Sequence, residues 1–439
     1  MSERLSAAAA ELMMRRFAGS LRARGIGEGD RVAFSLANSA ALLAAIVGAL
    51  RAGVVAVPLN PSLVPAEREP LLADAEPAAV IDTPALLAEL LDGPEADIAP
   101  FPRCRPMHYT SGTTGRPKGV WSGLLDAAGA AALVDEEADL WSFGPGDVNL
   151  VVSPLYHSAP LRFASTTLLR GGDVVVLPRF DPSLFGTAVL EHRPTTTFVV
   201  PAHLQRLFAG ADLPDLRSFR LVLHAGAPCP EPLKLAAIDV FGADVLWEFY
   251  GSTEGQFTAC SSAAWLDRRG TVGRARPGRR LSVDVDGMIW CEVPPHARFT
   301  YWRDEVRTAA VWRDDAFTVG DLGRLDDDGY LWIDGRRDDL IISGGVNVYP
   351  AEVEQALAGF SGVDDIAVFG VDDDRWGQRV CCAVVGLVDV AQLLAHARTR
   401  LAPYKVPKDV YIVADLPRTG TGKVRRSRLP AELGLEEGR

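Results

Sequence analysis

The chain has 439 residues, 48% hydrophobic and 23% charged, with a formal net charge of −12. That profile belongs to a globular protein of about two to four domains; no apolar run approaches the roughly 18–20 residues that span a bilayer. The acidic balance argues against a broad nucleic-acid-binding surface.

In chain order, the opening MSERLSAAAAELMMRRFAGS carries charge at Glu3, Arg4 and Glu11. It reads as an amphipathic helix, because a signal peptide needs an uninterrupted apolar centre. Buried strands are expected at RVAFSLA (31–37), VVAVPL (54–59), AAVID (78–82), NLVVS (149–153), DVVVLP (173–178), TTTFVVP (195–201) and RLVLHAG (220–226). Helical stretches such as SAALLAAIVGALRAG (39–53) and HLQRLFAG (203–210) lie between them. Continuous Val/Leu runs broken by short Gly/Pro/Asp turns imply an α/β, doubly wound parallel sheet covered on both faces.

From about residue 266 the texture changes to short strands joined by DG and DDDG turns, a small antiparallel β region reaching to 337. A compact α+β tail, 338–439, follows, with a domain boundary at Asp338. Its first helix is marked by Pro350, with Glu352 and Glu354 near the positive end of the helix dipole. The six cysteines (104, 229, 260, 291, 381 and 382) lack metal-site or redox spacing and read as core thiols in a reducing cytoplasm.

Four clusters carry chemistry. YTSGTTGRPKGV (109–120) offers the hydroxyls of Thr110, Ser111, Thr113 and Thr114, accessible N–H groups around Gly112 and Gly115, and the cation Lys118. Such a loop can wrap polyphosphate oxygens, although Gly/Ser/Thr/Pro clusters also make plain flexible loops. It is not a P-loop, because Pro117 and Gly119 stand where that motif needs glycine and a hydroxyl. In WEFYGSTEG (247–255), Tyr250 can face a purine and Glu254 is a magnesium candidate, since magnesium takes one or two carboxylates and fills its shell with phosphate and water. Asp321 and Arg336 bracket a turn-rich stretch where an aspartate can accept ribose hydroxyls; alone they are ordinary turn and surface charges. PRTGTGKVRR (417–426) presents Lys423 between glycines, or is simply a solvated basic tail.

Together, in this order, the clusters resemble the adenylate-forming superfamily of acyl-CoA synthetases, luciferases and peptide-synthetase adenylation domains, over about residues 20–428. The resemblance implies a large N-terminal domain, 1–337, and a small mobile C-terminal domain that rotates between two half-reactions. It implies that ATP, with Mg2+, converts a carboxylate to an acyl-adenylate, which CoA then attacks. Residue by residue it implies that Thr110, Ser111, Gly112, Thr113, Thr114, Gly115 and Lys118 hold the β- and γ-phosphates. Gly226, Ala227, Pro228 and Tyr250 would form the adenine slot, with Thr253 near the α-phosphate, Glu254 on magnesium, and Gly251 and Ser252 also binding nucleotide. Asp321 and Arg336 would hold the ribose, and Lys423 would bridge carboxylate and α-phosphate. Asp338 would be the hinge, Gly344 and Gly345 would line the thiol tunnel, and His157 would gate the carboxylate pocket.

PLYHSAP (154–160), FYGSTEG and SGGVNVYPAEVE resemble fatty-acyl and related CoA ligases most. Malonate-activating relatives carry arginine before the YG dipeptide; Phe249 here implies an apolar acid, expected to be fatty, with Phe163, Val199, Phe249 and Phe257 as candidate pocket walls or core. The late start at Met1 and the short connection before residue 109 imply a trimmed N-terminal subdomain, or one completed by a partner subunit. Open alternatives are an aryl-CoA ligase, an acyl-AMP ligase that loads a carrier protein, and a non-catalytic nucleotide-binding relative; the sequence leaves the oligomeric state open.

Overall fold

Residues 2–110, 118–210, 213–343, 346–373, 375–418 and 424–435 are described by the computed structural model of the chain, except the side chain of Asp338. The chain divides into two units, Met1–Arg280 with Cys291–Phe317, and Leu281–Trp290 with Thr318–Arg439.

The first unit alternates strand and helix. It runs β1 (Glu3–Leu5), α1 (Ala7–Ala23), β2 (Arg31–Phe34), α2 (Ala40–Arg51), β3 (Val55–Pro58), α3 (Pro65–Ala75), β4 (Ala79–Ile81) and α4 (Pro84–Leu91). Next come β5 (His108–Thr110), β6 (Lys118–Trp121), α5 (Ala127–Trp141), β7 (Val148–Val151), α6 (Ser158–Leu169) and β8 (Asp173–Val176). Then follow α7 (Pro182–His192), β9 (Thr196–Val199), α8 (Pro201–Phe208), β10 (Leu221–His224), α9 (Glu231–Phe241), β11 (Leu246–Glu248) and β12 (Thr258–Ser261).

Among the described residues these strands build two main sheets. The smaller is parallel, in the order β3-β2-β4. The larger runs β1-β8-β7-β9-β10-β11-β12, continued by Arg274–Ala275, and its centre from β8 to β11 is parallel. The doubly wound expectation holds because both faces of the sheet are covered: Val174, Val175, Leu150, Val222 and Leu223 are each fully buried. Helix α2 is buried from Leu42 to Arg51, as an all-apolar helix must be.

One expectation fails at the N-terminus. Glu3–Leu5 is a strand, paired antiparallel with Val174–Val176 at the sheet edge, and the helix begins only after Ser6, whose hydroxyl accepts from the Ala9 N–H. An unpaired edge offers free N–H and C=O groups, and three residues suffice to satisfy them.

The second unit is α+β. Strands Asp321–Leu325 and Leu331–Arg336 form a hairpin through the DDDG turn, where Gly329 has φ +81. Val363–Asp373 pairs antiparallel with Gly377–Gly386, against which Asp409–Val413 lies parallel. Helix Pro350–Leu357 starts where Pro350 announces it. Cys381 and Cys382 are fully buried on the central strand, and all six cysteines are free thiols, five of them buried and Cys229 partly so. Among the described residues no helix is long and apolar enough to cross a membrane.

Candidate active site

The sequence expected to form the phosphate loop joins two strands. In the β5–β6 hairpin Thr110 is the register partner of Lys118, so residues 111–117 are the connection; Ser111, Gly112, Thr113, Thr114 and Gly115 lie outside the described residues. The Lys118 ammonium stands 5.2 Å from the ring centroid of Tyr301. The Tyr301 hydroxyl in turn donates to Glu254 Oε1 at 3.0 Å. A lysine, a phenol and a buried carboxylate from three separate parts of the chain thus meet at the mouth of the hairpin.

Glu254 is placed by a tight turn after β11. The Ser252 N–H donates to the Gly255 carbonyl at 2.8 Å, and the Phe257 N–H to the Tyr250 carbonyl at 2.9 Å. Gly251 is required there, because a Cβ would sit 2.9 Å from the Gly255 oxygen. Arg105 fixes the outer side, donating from Nη1 to the Glu254 carbonyl at 3.0 Å. Burial holds the Arg105 guanidinium down to about 10. Thr253 is half-buried beside Glu254.

At the carboxyl end of β10 the chain emerges as Gly226, Ala227 and Pro228, all exposed, with Gly226 at φ +90. The Tyr250 ring packs on Phe257 with centroids 4.8 Å apart. Beneath lies a cluster the sequence reading missed. Lys234 Nζ approaches His224 Nε2 at 2.5 Å and donates to Glu248 Oε2 at 3.1 Å, tying the ends of β10 and β11 to α9. Burial depresses His224 well below an ordinary histidine and raises Glu248.

Asp321 and Arg336, in the second unit, are register partners at one end of their hairpin, and Arg336 Nε donates to Asp321 Oδ1 at 2.8 Å. Lys423, Gly344 and Gly345 lie outside the described residues, while the backbone of Asp338 is in the short 3-10 turn Arg337–Asp339.

On the other flank His157 caps α6, its ring 4.4 Å from that of Tyr156. Two of the four expected pocket walls cluster there: Phe163 and Phe249 lie with Phe198, centroids 5.8–6.0 Å apart. Val199, next to Phe198 on β9, turns to the opposite face of the sheet and packs in the other core. Phe257 differs: it is fully buried between Tyr250 and Phe317 and supports the tyrosine as core.

Charges the motifs did not announce also sit here. Glu137 of α5, 2% exposed, accepts the Trp141 indole N–H at 2.9 Å and two Arg276 N–H groups at 3.2 Å each, while Arg162 Nε of α6 lies 3.2 Å away. Burial alone would raise the Glu137 carboxyl, but Arg162 and Arg276 outweigh it and hold it low. His108 Nδ1 faces the Tyr156 carbonyl at 3.1 Å, and burial, then His157, push this histidine down to about 3. A lone arginine inside the apolar run SAPLRFASTTLL was the available signal for this cluster.

Comparison with known proteins bears on the family and the fold. The family described as AMP-binding enzyme matches residues 1–100 and 105–295, and its C-terminal domain matches 352–423. The chain is 37% identical to a feruloyl-CoA synthase of Amycolatopsis sp, covering 97% of this chain and 94% of that protein. It is 32% identical to the long-chain-fatty-acid–CoA ligase FadD13 of Mycobacterium tuberculosis, covering 97% and 92%. Its fold is similar to that of the O-succinylbenzoate coenzyme A synthetase MenE of Bacillus subtilis in complex with ATP and magnesium ion, with a TM-score of 0.85, 27% identity, and 96% and 94% of the chains covered. The chain belongs to the AMP-binding enzyme family, within the adenylate-forming superfamily, as an AMP-forming acyl-CoA synthetase.

Proposed function

We propose that the chain activates an apolar carboxylic acid with ATP and passes the acyl group to free CoA, and that the motif residues act as their positions imply. The observation that carries this reading is the meeting of Lys118, Tyr301 and Glu254 at the phosphate hairpin.

In the first half-reaction a carboxylate oxygen attacks the α-phosphorus and pyrophosphate leaves. An anion must approach a polyanion, so fixed positive charge and positioning supply most of the acceleration. Lys118 provides one such charge and the N–H groups of residues 111–115 further donors. Glu254 fits magnesium: it is buried, its one described side-chain donor is the neutral Tyr301 hydroxyl, and a single carboxylate suffices where phosphates complete the shell. Bound there, magnesium would neutralise polyphosphate charge. Gly226–Pro228 and Tyr250 flank the base, Thr253 sits by the α-phosphate, and Asp321 with Arg336 takes the ribose. Lys423 serves adenylation; the domain beyond the Asp338 hinge then turns, and CoA enters past Gly344 and Gly345. His157 gates the carboxylate.

The apolar acid is supported by Phe163 and Phe249, each under a tenth exposed and packed in one aromatic cluster. Their mutual packing favours a compact aromatic or short aliphatic group over a long chain. Free, buried thiols support a cytoplasmic setting.

The test supplies ATP, magnesium, CoA and a panel of aliphatic and aromatic acids. Acyl-CoA, AMP and pyrophosphate are expected; ADP and phosphate, or transfer only to a carrier protein, would overturn the reading.

A further inference from the structure

Arg162 occupies a place that charge pairing alone does not account for. It lies one turn into α6, past the His157 cap, with its guanidinium carbon 5.4 Å from the Phe163 ring centroid and 5.7 Å from that of Phe249. Its supposed partner, Glu137, is already satisfied: Arg276 gives it two N–H groups and Trp141 a third. Arg162 Nε stands 3.2 Å from Glu137 without forming a hydrogen bond, and among the described residues its Nη2 has no hydrogen-bond partner either. Yet a quarter of the side chain remains accessible, although Phe163, Phe249 and Glu137 around it are buried. The side chain is thus only partly enclosed, beside the aromatic rings expected to hold the acyl group. His108 is in the same neighbourhood, since its proton affinity is lowered by His157, Arg105 and Arg162. Its buried Nε2 has no hydrogen-bond partner among the described residues.

Buried donors left unmade cost about 1–3 kcal/mol each, and more when charged. A site tolerates that cost where a ligand removes it. We propose that Arg162 is a specificity-determining residue that receives a second oxygen function on the acyl group, so that the substrate class is a compact carboxylic acid bearing a hydroxyl, keto or carboxylate oxygen beyond the reacting carboxylate. This rests on the ligase reading above and adds one oxygen function to the apolar frame of its acid. The aromatic rings hold the carbon frame, and the guanidinium distinguishes an oxygenated acid from its plain analogue. A site with a buried donor rejects the analogue that leaves the donor unpaired far more strongly than an apolar wall rejects a missing methylene.

The experiment measures ATP–pyrophosphate exchange with matched acids: phenylacetate and phenylpropanoate against their ring-hydroxylated, keto and carboxylated counterparts. The wild type is expected to prefer at least one oxygenated acid over its parent by about tenfold or more in kcat/KM. Arg162→Met should lower that ratio by about the same factor while leaving the KM for ATP unchanged. The variant is expected to fold, because Glu137 keeps Arg276 and Trp141; thermal unfolding checks this, and Arg162→Gln repeats the test with a smaller loss of polarity. A wild type that prefers every unsubstituted acid would overturn the proposal. So would an Arg162→Met enzyme that loses activity on both members of a pair equally. Absence of exchange with every acid, in the wild type, would instead count against the ligase reading itself.

Discussion

Two buried glutamates on opposite flanks of the site are held in different ways. Glu137 is saturated, with two N–H groups of Arg276, the Trp141 indole and the nearby Arg162. Glu254 has, among the described residues, one side-chain donor, the neutral phenol of Tyr301; the arginine beside it, Arg105, is spent on its backbone carbonyl. Burying a carboxylate costs several kcal/mol unless charge or hydrogen bonds replace water. At Glu137 the protein supplies that replacement itself, so the group ties α5 to Arg276. At Glu254 the replacement is incomplete and the lone pairs remain available to a cation. The saturated carboxylate serves architecture, and the one left with a single neutral donor is the one proposed to hold magnesium.

The sharpest break of this contrast is Glu137→Ala. It strands Arg276 and Arg162, and breaking a buried pair by removing one partner costs about 3–5 kcal/mol. Urea unfolding should show that loss, while the KM for ATP and the magnesium half-saturation of the folded enzyme change little. Glu254→Gln should do the reverse. The Tyr301 and Arg105 contacts survive, so stability should hold within about 0.5 kcal/mol. Pyrophosphate exchange should fall by about 10²–10³-fold, as when one preorganised charge-stabilising group is removed. A magnesium titration would show a raised half-saturation concentration. Equal stability losses in both variants would erase the distinction.

Much of the side expected to bind nucleotide is local in sequence, because its residues come in contiguous motifs. Thr110 and Lys118 lie eight residues apart on one hairpin, and Tyr250 to Glu254 is a single turn. The core strands are legible for a similar reason: Val174–Val176 and Leu221–Leu223 are continuous apolar runs with both faces covered. The acyl side resists, because Glu137, Arg162 and Arg276 lie on separate elements and meet only after folding. The strand Glu3–Leu5 resists too, since its only cause is an open edge at Val174–Val176. Phe257 shows the remaining limit: its place beside a motif suggested a pocket wall, and packing made it the floor beneath Tyr250.

A finer probe is acidity. Burial, then His157, bring His108 down to about 3 from an ordinary 6.5. Between those values the unfolded chain binds a proton that the folded chain refuses, so stability falls as pH drops from about 6.5 towards 3. His108→Asn should flatten part of that slope in urea unfolding at pH 7, 6 and 5. His203, lowered to about 4 mainly by burial, and His224 act in the same direction, so a reduced slope is expected. An unchanged slope would mean that His108 is solvated in the folded protein.

The account stands on carboxylate oxygen attacking the α-phosphorus beside Lys118 and Glu254. The most direct measurement supplies an accepted acid labelled with oxygen-18 in both carboxylate positions, together with ATP, magnesium and CoA, and weighs the AMP released. One labelled oxygen per AMP is the result the account predicts, because the bridging oxygen leaves with AMP when the thiol attacks the acyl carbon. Unlabelled AMP, or label appearing in inorganic phosphate alongside ADP, would contradict it.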